Sequence, residues 1–200
     1  MLFPRAARSF ASAFLTAWLL ACVFSVCACG ARGPKTAQAA AEALATATSR
    51  GDAEALYEAL DQHTRWSWMT IQKSHREAYD VVLSNFPEGA DKEQKLKALD
   101  TAATAETAAD LFAAKMGARA LAELRQRLPA GPLGVTVAGD TATAPALAGP
   151  PLTFAQVEKR WGYSGFRGEA EELKRRAIAD LEMIKLSATD YERARTLGTP

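Results

Sequence analysis

The chain has 200 residues, 24 of them basic and 23 acidic, with two histidines and three cysteines. That length supports one domain with a real core, and the near-neutral charge excludes nucleic acid or an anionic surface as a partner recruited by bulk electrostatics. All three cysteines, Cys22, Cys27 and Cys29, lie near the N-terminus, which excludes a disulfide framework and thiolate metal sites elsewhere in the chain.

Residues 10–29 form an unbroken apolar run behind Arg5 and Arg8 and close on small residues and cysteine. A positive start, an apolar middle and a small-residue exit are the parts of an export signal. The ending Val26-Cys27-Ala28-Cys29-Gly30 resembles the lipobox of bacterial lipoproteins, whose cysteine is acylated and becomes the first residue of the mature chain. The resemblance implies a signal peptide over 1–28, lipid on Cys29, a tether over 29–36 and a single domain over 37–200. That domain would be lipid-anchored in the cell envelope, on the periplasmic or extracellular side of a membrane. Leu19-Leu20-Ala21-Cys22 also fits a lipobox, with Cys22 as the alternative lipid site, but the mature chain would then begin with Val23-Phe24-Ser25-Val26. Cys29 is preferred because small and polar residues follow it. A third reading is an uncleaved membrane-spanning helix, for which 10–28 is long enough. Removing 1–28 leaves 172 residues; without Arg5 and Arg8, 22 basic residues face 23 acidic ones.

Residues 37–49 are alanine-rich and favour a helix, with Gly51 to cap its end. Asp52 is the N-cap of a second helix with Leu56, Tyr57 and Leu60 on one face. In 64–86, Trp68, Ile71, His75, Tyr79, Val82 and Phe86 recur at spacings of three and four, the pattern of one helix face, and Pro87 stops the run. A shorter helix is expected over 91–99. A long one comes next over 102–128, with a stripe of Leu111, Ala114, Ala118, Leu121, Leu124 and Leu128 and a weak point at Gly117.

At Pro129 the periodicity changes. Val135 and Val137 alternate with small or polar residues, Gly139-Asp140 reads as a hairpin turn, and 141–147 is a return strand that Pro145 confines to an edge. Two further strands, 152–157 and 161–166, bracket Glu158-Lys159-Arg160 as a second hairpin. Two closing helices are expected, over 168–186 and 188–196. Ser187-Ala188-Thr189-Asp190 forms a capping box between them, and Leu186 and Tyr191 are spaced as its staple. The expected class is α+β and helix-rich: N-terminal helices packed on a small antiparallel β-meander at about 133–166, with C-terminal helices.

Three segments together resemble the nuclear transport factor two-like superfamily, which includes ketosteroid isomerases, polyketide cyclases and many bacterial lipoproteins. They are the helical stretch 40–60 with Arg50-Gly51-Asp52-Ala53, the strand pair 135–142, and the strand from Phe154 to Trp161-Gly162-Tyr163. The resemblance covers roughly 37–166 and implies a curved sheet with a pocket, in whose isomerase-like members an acid/base residue works among apolar side chains. The helical stretch 64–128 and the helical C-terminus depart from that pattern.

His75 and Tyr79 are i, i+4 neighbours, so a base and a phenol meet on one helix face as catalytic candidates. Packing within the core is the structural reading of the same pair. Trp66 and Trp68, behind His63, are candidates for a binding patch, and their spacing sends them to different sides of a helix. Gly162-Tyr163-Ser164-Gly165-Phe166 lacks the last glycine of a nucleophile elbow, and both histidines precede Ser164, so no hydrolase is expected there. Lys174-Arg175-Arg176 follows Glu171 and Glu172 and reads as a self-paired solvated face. No P-loop, dinucleotide fingerprint, H-x-x-x-H or carboxylate cluster occurs, so neither cofactor nor metal is expected. The leading expectation is a non-enzymatic envelope lipoprotein that binds a protein or a small apolar ligand. The alternative is an isomerase- or cyclase-like enzyme with a His75/Tyr79 pocket. A ligand-sized cavity opening on His75 favours the enzyme, and a filled core with an exposed aromatic patch favours binding.

Overall fold

A computed structural model describes residues 33–198; the expected signal peptide, 1–28, and the expected lipid site, Cys29 or alternatively Cys22, lie outside them. Helix α1, Ala37–Arg50, starts at Thr36, whose side chain accepts from Ala39 N. It ends at Gly51, whose φ of 69° lets its own N–H reach the last carbonyls of the helix. Asp52 caps α2, Ala53–Ala59, by accepting from Ala55 N at 2.9 Å. Both caps match the sequence expectation.

The chain then extends through Leu60 and Asp61 and runs beside Tyr163 of the sheet, with Asp61 N donating to the Tyr163 carbonyl at 3.0 Å. Asp61 in turn starts α3, Gln62–Asn85, by accepting from His63 N at 3.0 Å and Thr64 N at 3.4 Å. The helix therefore begins two residues earlier than its apolar periodicity suggests. It stops at Phe86, which Pro87 holds in an extended conformation.

Helix α4, Ala90–Thr104, extends past its expected end, and the single long helix expected over 102–128 is replaced by several pieces. The Ala105 carbonyl leaves the helix to accept from Gln72 Nε2 at 2.9 Å and Arg76 Nη2 at 2.6 Å, both on α3. Thr107 and Asp110 then form a capping box that restarts the chain as α5, Ala108–Phe112. A π-helical turn, Ala113–Gly117, leads into α6, Ala118–Arg127. The extra residue of that turn rotates the helix beyond it, so Met116, Gly117 and Ala120 are buried while Ala114 and Ala118, expected in the core stripe, are exposed. Gly117 is required there, because a Cβ would lie 2.7 Å from Ala53 Cβ on α2.

The sheet is an antiparallel meander of β1, Thr136–Ala138, β2, Thr141–Ala144, β3, Leu152–Val157, and β4, Arg160–Tyr163, in sequence order. Gly139, at φ 62°, turns the first hairpin as expected. Strand β2 stops before Pro145 and pairs on both sides, so it is an interior strand rather than the edge that the proline suggested. The second hairpin turns on Glu158 and Lys159 alone, at φ 51° and 65°, and Arg160 belongs to β4. The registers put Ala142, Phe154 and Tyr163 on one face, buried together with Leu44 and Ala40 of α1.

The last correction concerns the C-terminus. One helix of 31 residues, α7, Arg167–Leu197, replaces the two that were expected. Ser187 Oγ and Thr189 Oγ1 donate backwards to the carbonyls of Met183 and Lys185, each at 3.0 Å, instead of capping a new helix. Tyr191 stacks edge-on with Phe86 at 4.9 Å rather than stapling to Leu186. Helices α3 and α7 run parallel, tied by Asp61 to Arg167, Ser67 to Glu171 and Glu77 to Lys185. The first part of this pair belongs to the main core. Farther along, Ala78, Val82, Phe86, Leu181 and Ala188 form a second, smaller cluster with Leu99 of α4. The α+β class and the position of the meander agree with the sequence expectation.

Candidate functional site

A cleft of about 360 Å³ opens between α3, α7 and the π-turn, a size at the lower end of ligand pockets. Its apolar wall is Trp68, Ile71, Met116, Leu173 and Ala177, and charged residues lie around them. The periodicity of α3 puts Trp68, Ile71 and His75 along one side. Lys115 and Met116 of the π-turn form the other.

His75 lines this cleft, and its Nδ1 is buried without a hydrogen-bond partner among the described residues. Trp68, 1% exposed, has an equally unpartnered Nε1. Unsatisfied buried nitrogens are uncommon in folded proteins and each calls for a cause. Burial holds the His75 pKa below the usual histidine value; Lys115 lowers it further and Asp180 opposes the shift. The imidazole is therefore neutral at pH 7. It can accept or donate one hydrogen bond at Nδ1 according to its tautomer.

The structure does not bring Tyr79 to the cleft: that side chain is half-buried against the second cluster. Trp66 and Trp68 part company as their spacing requires. Trp68 is core, stacked edge-on with Phe112 at 5.3 Å, and Trp66 is 39% exposed, with His63 against it at 5.3 Å. Trp66 and exposed Met69 border an open surface groove of about 1000 Å³ that also includes Tyr57, Lys73 and Thr107. The Tyr57 hydroxyl donates to the Arg65 carbonyl at 3.3 Å, and burial pushes its pKa up to about 12, so it is no base. Among the described residues Ser164 Oγ bonds only a neighbouring hydroxyl, Thr153 Oγ1 at 3.2 Å. On α7, Lys174 pairs with Glu171 at 2.5 Å and Arg176 with Glu172 at 2.9 Å, and Arg175 also pairs with Glu172. Among the described residues no three His, Cys, Asp or Glu side chains gather as a metal site, and no helix is long and apolar enough to cross a membrane.

Lys115, Met116, Leu173 and Asp180 are cleft residues that the sequence did not mark. Leu173 and Ala177 read as an ordinary core stripe, and nothing in the sequence signals a π-turn. No family model, curated protein or solved structure matches this chain. The three segments that resemble the nuclear transport factor two-like superfamily fold as α1 with α2, the β1–β2 hairpin, and β3 with β4, and none of them lines the cleft.

Proposed function

We propose that the protein is a membrane-anchored envelope lipoprotein whose domain binds a small, largely apolar ligand in the cleft between α3, α7 and the π-turn. The observation that carries this reading is the pair of buried, unpartnered nitrogens, Trp68 Nε1 and His75 Nδ1, on residues that line a cavity with an apolar wall. Leaving such a group unsatisfied costs about 1–3 kcal/mol, which a ligand that shifts the covering side chains and offers a hydrogen bond would recover. The anchor rests on the resemblance of the 26–30 segment to a lipobox.

A catalytic role keeps one supporting argument: burial favours the neutral His75 imidazole, and that residue lines a ligand-sized cavity. The exposed Trp66 patch, the feature expected of a binding protein, is present as well. Binding is favoured because Tyr79, the second group of the acid/base pair, lies outside the cavity.

The test compares small molecules released by denaturing full-length protein extracted from membranes, using wild type and Leu173→Trp. Leu173 is half-buried on the wall, so tryptophan fills the cleft without entering the tight core. A compound released in stoichiometric amount from wild type and absent from a normally folded variant is expected. No released compound, or the same one from both proteins, refutes the reading.

A further inference from the structure

Five charged side chains surround the cleft, and three are already engaged: Arg119 pairs with Glu169, and Arg176 with Glu172 beside the cleft. The other two, Lys115 and Asp180, form no ion pair among the described residues, with each other or with any other group. Both are exposed. Both also act electrostatically on the same imidazole, His75, so an ammonium and a carboxylate without ion-pair partners border the apolar wall.

The geometry points to a small zwitterion with an apolar body, a free apolar amino acid or a short apolar peptide, as the ligand of this cleft. Its apolar part lies over Trp68, Ile71, Met116 and Leu173, its carboxylate meets Lys115 and its ammonium meets Asp180. This rests on the binding reading above and adds the charge pattern of the ligand. A volume near 360 Å³, room for roughly a dozen waters at the bulk share of each, admits an amino acid or a dipeptide and is too small for a two-chain lipid.

Calorimetric titration of the full-length protein in detergent tests this with phenylalanine, leucyl-phenylalanine and three analogues. Phenylpropanoate lacks the ammonium, phenethylamine lacks the carboxylate, and phenylpropanol lacks both. Phenylalanine or the dipeptide is expected to bind at least roughly threefold tighter than each analogue, the effect that one exposed ion pair can supply. Comparison of the two zwitterions decides between a free amino acid and a peptide. Lys115→Met should abolish the advantage over phenethylamine, and Asp180→Asn the advantage over phenylpropanoate. Both residues are at the solvent-exposed rim, so the fold tolerates these changes. Phenylpropanol binding as tightly as the zwitterions overturns the charge pattern and leaves an apolar binding cleft. Variants that keep the full preference overturn the roles of Lys115 and Asp180. No saturable heat from any probe overturns the zwitterion proposal, while the released-compound comparison still judges the cleft.

Discussion

Replacing Asp61 by alanine tests whether the junction between α2, α3, α7 and the sheet is as interdependent as its bonds indicate. The carboxylate is fully buried. Oδ1 accepts from His63 N at 3.0 Å, from Thr64 N at 3.4 Å and from Arg167 Nη2 at 2.8 Å, and Oδ2 accepts from Thr64 Oγ1 at 2.5 Å. Losing the cap costs about 0.5–2 kcal/mol, and the buried Thr64 hydroxyl left without its acceptor adds about 1–3 kcal/mol. The Arg167 side chain is 37% exposed, so water can reach it; the ion pair is discounted to about 1 kcal/mol or less. The expected loss is about 3–5 kcal/mol, a large share of the roughly 5–15 kcal/mol that stabilises a domain. Asp61→Asn keeps an acceptor for the helix N–H groups and should lose less than half as much. Urea unfolding of the full-length variants, followed by far-ultraviolet circular dichroism, reads both values. An alanine variant within about 1 kcal/mol of wild type would refute the reasoning, as would an asparagine variant as unstable as the alanine one.

The other expectations rest on single contacts. Gly162→Ala places a Cβ 2.5 Å from Leu60 O and from Asp61 N and Cα, overpacking that should cost about 2 kcal/mol or more and lower the thermal midpoint; an unchanged midpoint would mean that the strand and the crossing segment are not in contact. His75 has a depressed pKa in the folded state, so between that pKa and about 6.5 the unfolded chain binds more protons and stability rises with pH, levelling off once the unfolded imidazole is neutral as well. His75→Leu should remove that part of the pH dependence in parallel unfolding series, shift stability at pH 7 by no more than ~1–2 kcal/mol and weaken ligand binding; binding unchanged from wild type would remove the imidazole from the groups that recognise the ligand. Cys29→Ser should release the domain from the membrane fraction or leave an unprocessed precursor, since stable attachment takes more than one acyl chain; unchanged lipid labelling would move the lipid to Cys22, or to an uncleaved helix if the leader persists.

Features that depend on a few adjacent residues are legible in the sequence itself. Gly51 ends one helix through its backbone N–H and Asp52 begins the next through its side-chain carboxylate, both within a turn, and Gly139 reverses a hairpin by its own conformation. Pro87 stops α3 through the residue beside it. Asp61 is not legible as a cap, because its place is set by the bridge to Tyr163, about a hundred residues away along an extended chain. The same holds for the break at Ala105, which is made by two side chains of α3. The capping signal at Ser187 is overridden because α3 offers α7 a continuous partner face, with Ala188 buried and Tyr191 stacked on Phe86.

These failures of local reading coincide with the candidate site. His75 and Trp68 are legible because they sit on a regular helix. Their opposite wall includes Lys115 and Met116 of the π-turn, an irregularity that nothing in the sequence signals. Places where a sequence's local preferences give way are often places where function has been built in. Beside this departure lies a gap between two parallel helices, lined with apolar side chains and His75, and bordered by Lys115 and Asp180, which form no ion pair among the described residues. A π-turn kept only for packing would be expected to fill that gap with its own side chain. Met116 is buried, yet the cleft beside it stays open, and that open volume is what the proposed ligand would occupy.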